Sequence, residues 1–150
     1  MKIKLPPAII FVFTGLLMYL LATFLPVGYF DFFGRRLLMK VLAGLGVVIA
    51  FIAIFQFLRA RTTADPINPS KANKLVTGGL YSFSRNPMYL AMLLILLAWG
   101  LALGNAFNTL LAAGFVSVMN RFQIKREEVA LLEKFGKEYA QYCIKVRRWF

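Results

Sequence analysis

The sequence predicts an all-α, polytopic integral membrane protein: four transmembrane helices, the last two a tight hairpin, then a C-terminal amphipathic cytoplasmic helix. Three observations predict it. Of 150 residues, 60% are hydrophobic and 16% charged, whereas about a quarter are charged in an ordinary soluble domain. Apolar stretches long enough to cross a bilayer recur along the chain, and the mean hydropathy is +0.69. The basic residues gather on what four spans would make one face. One domain over residues 1–150 is expected, since no composition shift marks a linker.

The first span is expected over about 8–25. Its run from Ala8 to Leu25 approaches the ~20 residues that a helix needs to cross the hydrocarbon core. Lys2 and Lys4 precede it as they would in a secretory signal, but the run exceeds the usual ~7 to 15 residues and no A-x-A site follows. It therefore reads as a retained anchor. A short turn at Pro26 and Gly28 leads to the second span, about 37–58, whose densest apolar part is Val41 to Leu58.

No charge occurs between Asn86 and Asn120. At ~1.5 Å per residue such a helix would far exceed the ~30 Å core, so the run must fold back. Gly104 and Asn105 are the natural break, giving spans of about 87–103 and 106–120.

With four spans, the N-terminus, the loop 59–86 and the tail share one side. That side holds fifteen of the 18 Lys and Arg residues, leaving only Arg35, Arg36 and Lys40 opposite. Such asymmetry marks a cytoplasm-facing surface. The net charge of +12 therefore needs no nucleic-acid partner, because anionic headgroups of the membrane lipid bilayer suffice.

The tail, 121–142, interleaves charges with Ile124, Leu131, Leu132, Phe135, Tyr139 and Tyr142 at helical spacing, which predicts one amphipathic helix. Lys145 to Phe150 has the basic and aromatic character of an interfacial anchor. Glu128 lies on the apolar stripe, where a carboxylate is expensive unless something cationic or hydrogen-bonding meets it. Glu127 borders the same face. Local ion pairing with Lys134 or Arg121 is one reading; a polar or cationic ligand at the membrane edge is the other.

The chemical inventory is narrow. No histidine occurs, which excludes histidine bases, histidine-containing triads and histidine-ligated zinc. Cys143 is alone and can form neither an internal disulfide nor a metal site, so no metal is expected. A transporter would be expected to bury an ionisable residue within a span; none of the four contains an acid, and Gln56 is their most polar interior candidate. No dinucleotide fingerprint supports a reductase.

A second concentration of polar and glycine residues runs from Leu75 to Tyr89. Asn86-Pro87 reads as a helix cap followed by proline at the first helical position, and a helix N-terminus also offers free N–H groups to a ligand. Gly78-Gly79 is either a turn or a place where backbone approaches a ligand closely.

Three blocks in this order and spacing resemble the isoprenylcysteine carboxyl methyltransferase family and its phospholipid methyltransferase relatives. They are Leu75-Val76-Thr77-x-Gly79-x-Tyr81; Arg85-Asn86-Pro87-x-Tyr89; and Glu127-Glu128-x-x-Leu131 with Phe135-Gly136-x-x-Tyr139-x-x-Tyr142. The resemblance covers roughly Thr62 to Arg148. It implies a membrane enzyme moving a methyl group from S-adenosylmethionine to a lipophilic methyl acceptor, with S-adenosylhomocysteine as product and the cofactor in a cytoplasmic pocket of loop, third-span start and tail.

Carried over by position, the cofactor-binding residues are Asn73, Lys74, Leu75, Val76, Tyr81, Arg85, Asn86, Pro87, Met88, Tyr89, Glu127 and Glu128. Asn86 stands where eukaryotic members have histidine, so an amide must make any contact an imidazole makes there. The resemblance also implies an arginine upstream of the acid pair for the substrate carboxylate. That role falls to Arg121, with Arg126 also near and Gln123 at one matching position. No residue is assigned as catalytic. A carboxylate acceptor needs no general base, whereas an amine must lose a proton to Glu127, Glu128 or a tyrosine. The resemblance implies an isoprenylcysteine-like carboxylate as acceptor, with a phospholipid amine or another small lipophile as the alternative.

Overall fold

The computed structural model describes residues 6–25, 27–60 and 71–150. Lys2, Lys4, Pro26 and residues 61–70 of the expected cofactor loop, Arg61 and Thr62 among them, lie outside the described residues. Among those described, the chain is helical, with one isolated bridge between Tyr29 and Asn105 and no strand. The helices are α1 (Pro7–Phe24), α2 (Arg35–Arg59), α3 (Pro87–Leu103), α4 (Asn108–Val118), α5 (Lys125–Phe135) and α6 (Lys137–Lys145). A 3₁₀ turn, Gly79–Ser82, precedes α3, and a π-helical turn, Met119–Ile124, joins α4 to α5.

Two helices, α1 and α2, are long and apolar enough to cross a membrane, and α3 is a shorter apolar helix. Their exposed surfaces support that reading. Along α2 only Gly46 and Ala53 are buried, while Phe51 is 71% exposed and Phe55 62%. Small residues face the neighbouring helix and large apolar ones face outward, an arrangement that water would penalise and lipid tails accept. A β-carbon on Gly46 would meet Ile95 Cγ1 at 2.8 Å and the Ala91 carbonyl oxygen at 3.0 Å, so α2 and α3 touch almost backbone to backbone. Within α1, the Thr14 hydroxyl donates to the Ile10 carbonyl at 2.8 Å, so its polar group is satisfied inside its own helix.

α3 stops at Gly104, whose φ of 66° is in the left-handed region favouring glycine. Here the two inter-helix links lie side by side: Phe30 N–H donates to the Gly104 carbonyl and Ala106 N–H to the Gly28 carbonyl, both at 2.9 Å. At this end of the bundle the two links are therefore tied together by backbone pairing.

The tail departs from the single helix expected over 121–142. The helical path of α4 continues through the π turn into α5, then breaks at Gly136, where φ is 51°, and restarts as α6. The apolar spacing alone conceals this break, because Phe135 and Tyr139 keep a helical interval across it. The bend lets α5 and α6 cover the α2–α3 end from two directions, and Tyr139 and Tyr142 are buried beside Ala53 and Tyr81.

Candidate functional site

Three segments converge beneath that cover. The first is the loop before α3, held by Gln56 near the end of α2. The Gln56 side chain donates to the Gly78 carbonyl and accepts from Leu80 N–H, each at 3.2 Å. Gly79 between them has φ 60°, and a β-carbon there would lie 1.6 Å from Gln56 Nε2. Glycine is thus required both by conformation and by space. The turn that follows directs Tyr81 inward, edge-on to Phe57 with centroids 5.2 Å apart. Its carbonyl accepts from the Tyr142 hydroxyl at 2.6 Å. The Tyr81 hydroxyl itself is buried without a partner. Burial pushes its pKa far above the usual phenol range, with the nearby Tyr142 and Glu127 adding to the effect, so it remains a neutral donor.

The second segment is the start of α3. Asn86 occupies the cap position and Pro87 the first turn, but the Asn86 side chain makes no cap bond. Instead its Nδ2 donates to the Arg148 carbonyl at 2.9 Å. The polar side chain grips the C-terminal segment, and Arg85 N–H does likewise through the Arg147 carbonyl at 3.0 Å. One turn further on, Tyr89 is buried.

The third segment is the π turn with α5. A π turn inserts one residue into the helical register and is often found at functional sites. Here Gln123 and Ile124 are both buried, and Gln123 Nε2 donates to Glu127 Oε1 at 2.5 Å. The same carboxylate oxygen accepts from the Tyr89 hydroxyl. Burial raises the Glu127 carboxyl to about 7, against the lowering effect of these two hydrogen bonds. Glu128 is met instead by guanidinium groups: Arg148 Nε and Nη2 at 2.9 and 2.7 Å, and Arg85 Nη2 at 3.3 Å. The local pairing considered for the acids is not how Glu128 is held, because both arginines come from other segments. The Glu128 bonds in turn hold the Arg148 guanidinium in its charged form, raising its pKa. Arg85 also donates to Cys143 Sγ.

Between the segments lies a cavity of about 100 Å³, or about 640 Å³ counting the open space at its mouth. Of the residues expected at the site, Lys74, Leu75, Val76, Tyr81, Arg85, Asn86, Met88, Tyr89, Glu127 and Glu128 line it. Pro87 is buried but is not part of the lining, and Asn73 is exposed. Arg121 also lies off the lining; it is exposed on the π turn, with its guanidinium 5.7 Å from the centre of the Phe122 ring. Phe57, Ala72, Leu131, Tyr139 and Tyr142 complete the wall. The i, i+3 spacing of Tyr139 and Tyr142 signalled a shared face, whereas nothing in the sequence marked Phe57 or Ala72. Arg85 Nε, like the Tyr81 hydroxyl, is buried and has no partner.

The cavity therefore offers an apolar wall, the free phenol donor of Tyr81, a guanidinium N–H and one carboxyl able to change charge near neutrality. That combination fits a ligand with a flat apolar part, an anionic group and a cationic centre.

Comparisons with known proteins bear on the same region. A family model described as phospholipid methyltransferase matches residues 34–138. An uncharacterized protein of Haemophilus influenzae is 58% identical over 62 residues, covering 41% of this chain and 98% of that protein. The protein-S-isoprenylcysteine O-methyltransferase of Schizosaccharomyces pombe is 34% identical over 110 residues, 65% of this chain and 45% of that one. A probable protein-S-isoprenylcysteine O-methyltransferase of Oryza sativa subsp. indica is 33% identical over 109 residues, 71% of this chain and 56% of that one. The chain thus spans about half the length of the curated methyltransferases it matches. No solved structure matches it.

Proposed function

The chain belongs to the phospholipid methyltransferase family, and we propose that it is a membrane enzyme transferring a methyl group from S-adenosylmethionine to a lipophilic acceptor. The observation that carries this reading is the meeting of Tyr81, Tyr89 and Glu127, from three separated sequence blocks, around one cavity. The charge asymmetry supports four spans with both termini and this cavity on the cytoplasmic side.

The residues fit the cofactor by chemical kind. Leu75, Val76, Met88 and Leu131 offer surface to an adenine ring. Arg85 Nε and the Tyr81 hydroxyl, the two buried orphans, supply donors to a carboxylate or ribose oxygen. Glu127, once ionised, complements the cationic methionine end. When bound, the cofactor supplies an electrophilic methyl group on a sulfonium. The chain's task is then to orient donor and acceptor in line and to exclude water, terms that can be large. The ion pairs of Glu128 with Arg85 and Arg148 pin the C-terminal segment against the start of α3.

For the acceptor we favour the carboxylate of an isoprenylcysteine-like lipid, by analogy with the relatives named above. Such a group is already nucleophilic at neutral pH. One observation favours a phospholipid amine instead. Glu127, with its carboxyl near 7, is suited to take the proton that an amine must shed.

The test is binding and transfer. The purified protein in detergent should gain thermal stability from S-adenosylmethionine and S-adenosylhomocysteine. With methyl-labelled cofactor and a membrane extract it should label a lipid-soluble product, whose base lability separates a methyl ester from an N-methyl amine. No stabilisation by either compound up to millimolar concentration defeats the reading.

A further inference from the structure

A second cavity lies at the opposite end of the bundle. It measures about 530 Å³ counting its mouth, and its walls include Met18 of α1, Leu42 of α2, Leu97 and Gly100 of α3, and Asn108 at the start of α4. From Tyr89 to Gly100 is eleven residues, or about 16 Å along the helix axis. This space is distinct from the Glu127 cavity.

Its notable wall residue is Asn108. The side chain is 1% exposed, and both Oδ1 and Nδ2 are without a hydrogen-bond partner. Neighbouring Asn105, by contrast, is satisfied: it donates to the Leu25 carbonyl at 3.2 Å and accepts from Phe107 N–H at 3.0 Å. Gly100 makes room for the orphan, since a β-carbon there would sit 3.4 Å from Asn108 Cβ and 3.2 Å from Met18 Cε. An unpaired amide in apolar surroundings is costly, because it has given up its bonds to water and gained none. The fold places one here, on the wall of the cavity.

We propose that this cavity is a second lipid site, taking an amphiphile whose hydroxyl group pairs with Asn108 while its chain lies along Met18, Leu42 and Leu97. A hydroxyl both donates and accepts, so one such group satisfies Oδ1 and Nδ2 together. Water has the same two capacities, and Asn105 and Thr109 also line the space, but water cannot cover the apolar walls as an alkyl chain does. The occupant is not the methyl acceptor, because a group held at Asn108 is an entire helix length from Glu127.

The test uses the full chain in detergent with oleyl alcohol, its methyl ether and the parent alkene as probes. The alcohol should raise the melting temperature by about 3 °C or more, with the ether and alkene giving much less. Asn108→Leu should abolish the preference for the alcohol while keeping the response to S-adenosylhomocysteine, which separates this site from the proposed cofactor cavity. Leu42→Phe, which narrows the space but keeps the amide, should also lose the alcohol response. Equal responses to the three probes in the parent protein, as a water-filled or chemically indifferent cavity gives, overturn the proposal. So does an alcohol preference that survives Asn108→Leu. The parent comparison needs no variant to fold.

Discussion

The Tyr89 hydroxyl donates to Glu127 across 38 residues of sequence, tying the first turn of α3 to α5. That bond and the one from Gln123 favour the carboxylate, yet burial outweighs both and leaves the group titrating near neutrality. Glu127 is therefore an acid whose charge depends on the working pH.

For cofactor binding the expected consequence is a rise in affinity for S-adenosylmethionine as pH passes upward through about 7, because only the ionised carboxylate attracts a cation. If the ionised form alone binds, affinity falls toward tenfold per pH unit below that point. Glu127→Gln should flatten the profile and weaken binding at pH 8 more than at pH 6. Isothermal titration at several pH values checks it, and a parent profile as flat as the variant's removes Glu127 from the site.

The same shift makes a prediction for the ligand-free protein with its own sign. The folded carboxyl titrates at about 7, above its reference of 4.5, so the native state holds the proton more tightly than the unfolded chain. The associated stability is fully present below about 4.5 and is lost as pH rises through about 7, amounting to a few kcal/mol at most. Melting curves from pH 5 to pH 8 should show this decline in the parent, and Glu127→Gln should reduce its slope.

Glu128 differs from its neighbour in having cations in place. Arg148→Ala removes two hydrogen bonds to that carboxylate, and charged hydrogen bonds are worth about 1.5 to 3 kcal/mol. Arg148 is partly exposed, so solvent screening puts the expected loss at the lower end. The C-terminal segment should loosen with it. Limited proteolysis should cleave after Arg147 faster in the variant, and an unchanged cleavage rate contradicts a role for this bond in holding the segment.

Much of this was legible from local spacing. Helical periodicity turned Glu128 inward, and the charge-free run required a reversal that α3 makes at Gly104. The partners were not legible. Arg85 and Arg148 reach Glu128 only because the Gly136 bend brings α6 and the following residues back over the start of α3. Asn86 reads as a capping side chain because asparagine before proline is a good local cap, but a tertiary bond to the Arg148 carbonyl outcompetes the cap. Gln56 stood out as polar in an apolar span, and no local rule predicts that its amide would clasp a loop more than twenty residues later. The π turn, too, has no signature in the side-chain pattern.

That clasp supplies the last prediction. Gly79→Ala places a β-carbon 1.6 Å from Gln56 Nε2 and forces alanine to φ 60°. The left-handed conformation alone is worth about 1 kcal/mol for a residue with a side chain, and the collision must also displace the amide, losing two hydrogen bonds of about 1 kcal/mol each. Tyr81 then loses the turn that aims it into the cavity. The variant should melt lower than the parent and bind S-adenosylhomocysteine at least tenfold more weakly. Gln56→Ala alone loses the two bonds, and in the double variant it removes the amide that the new β-carbon would strike, so the double variant should be less destabilised than the sum of the single changes. A thermodynamic cycle on the four proteins measures the coupling; strict additivity shows that the glycine and the amide do not depend on one another.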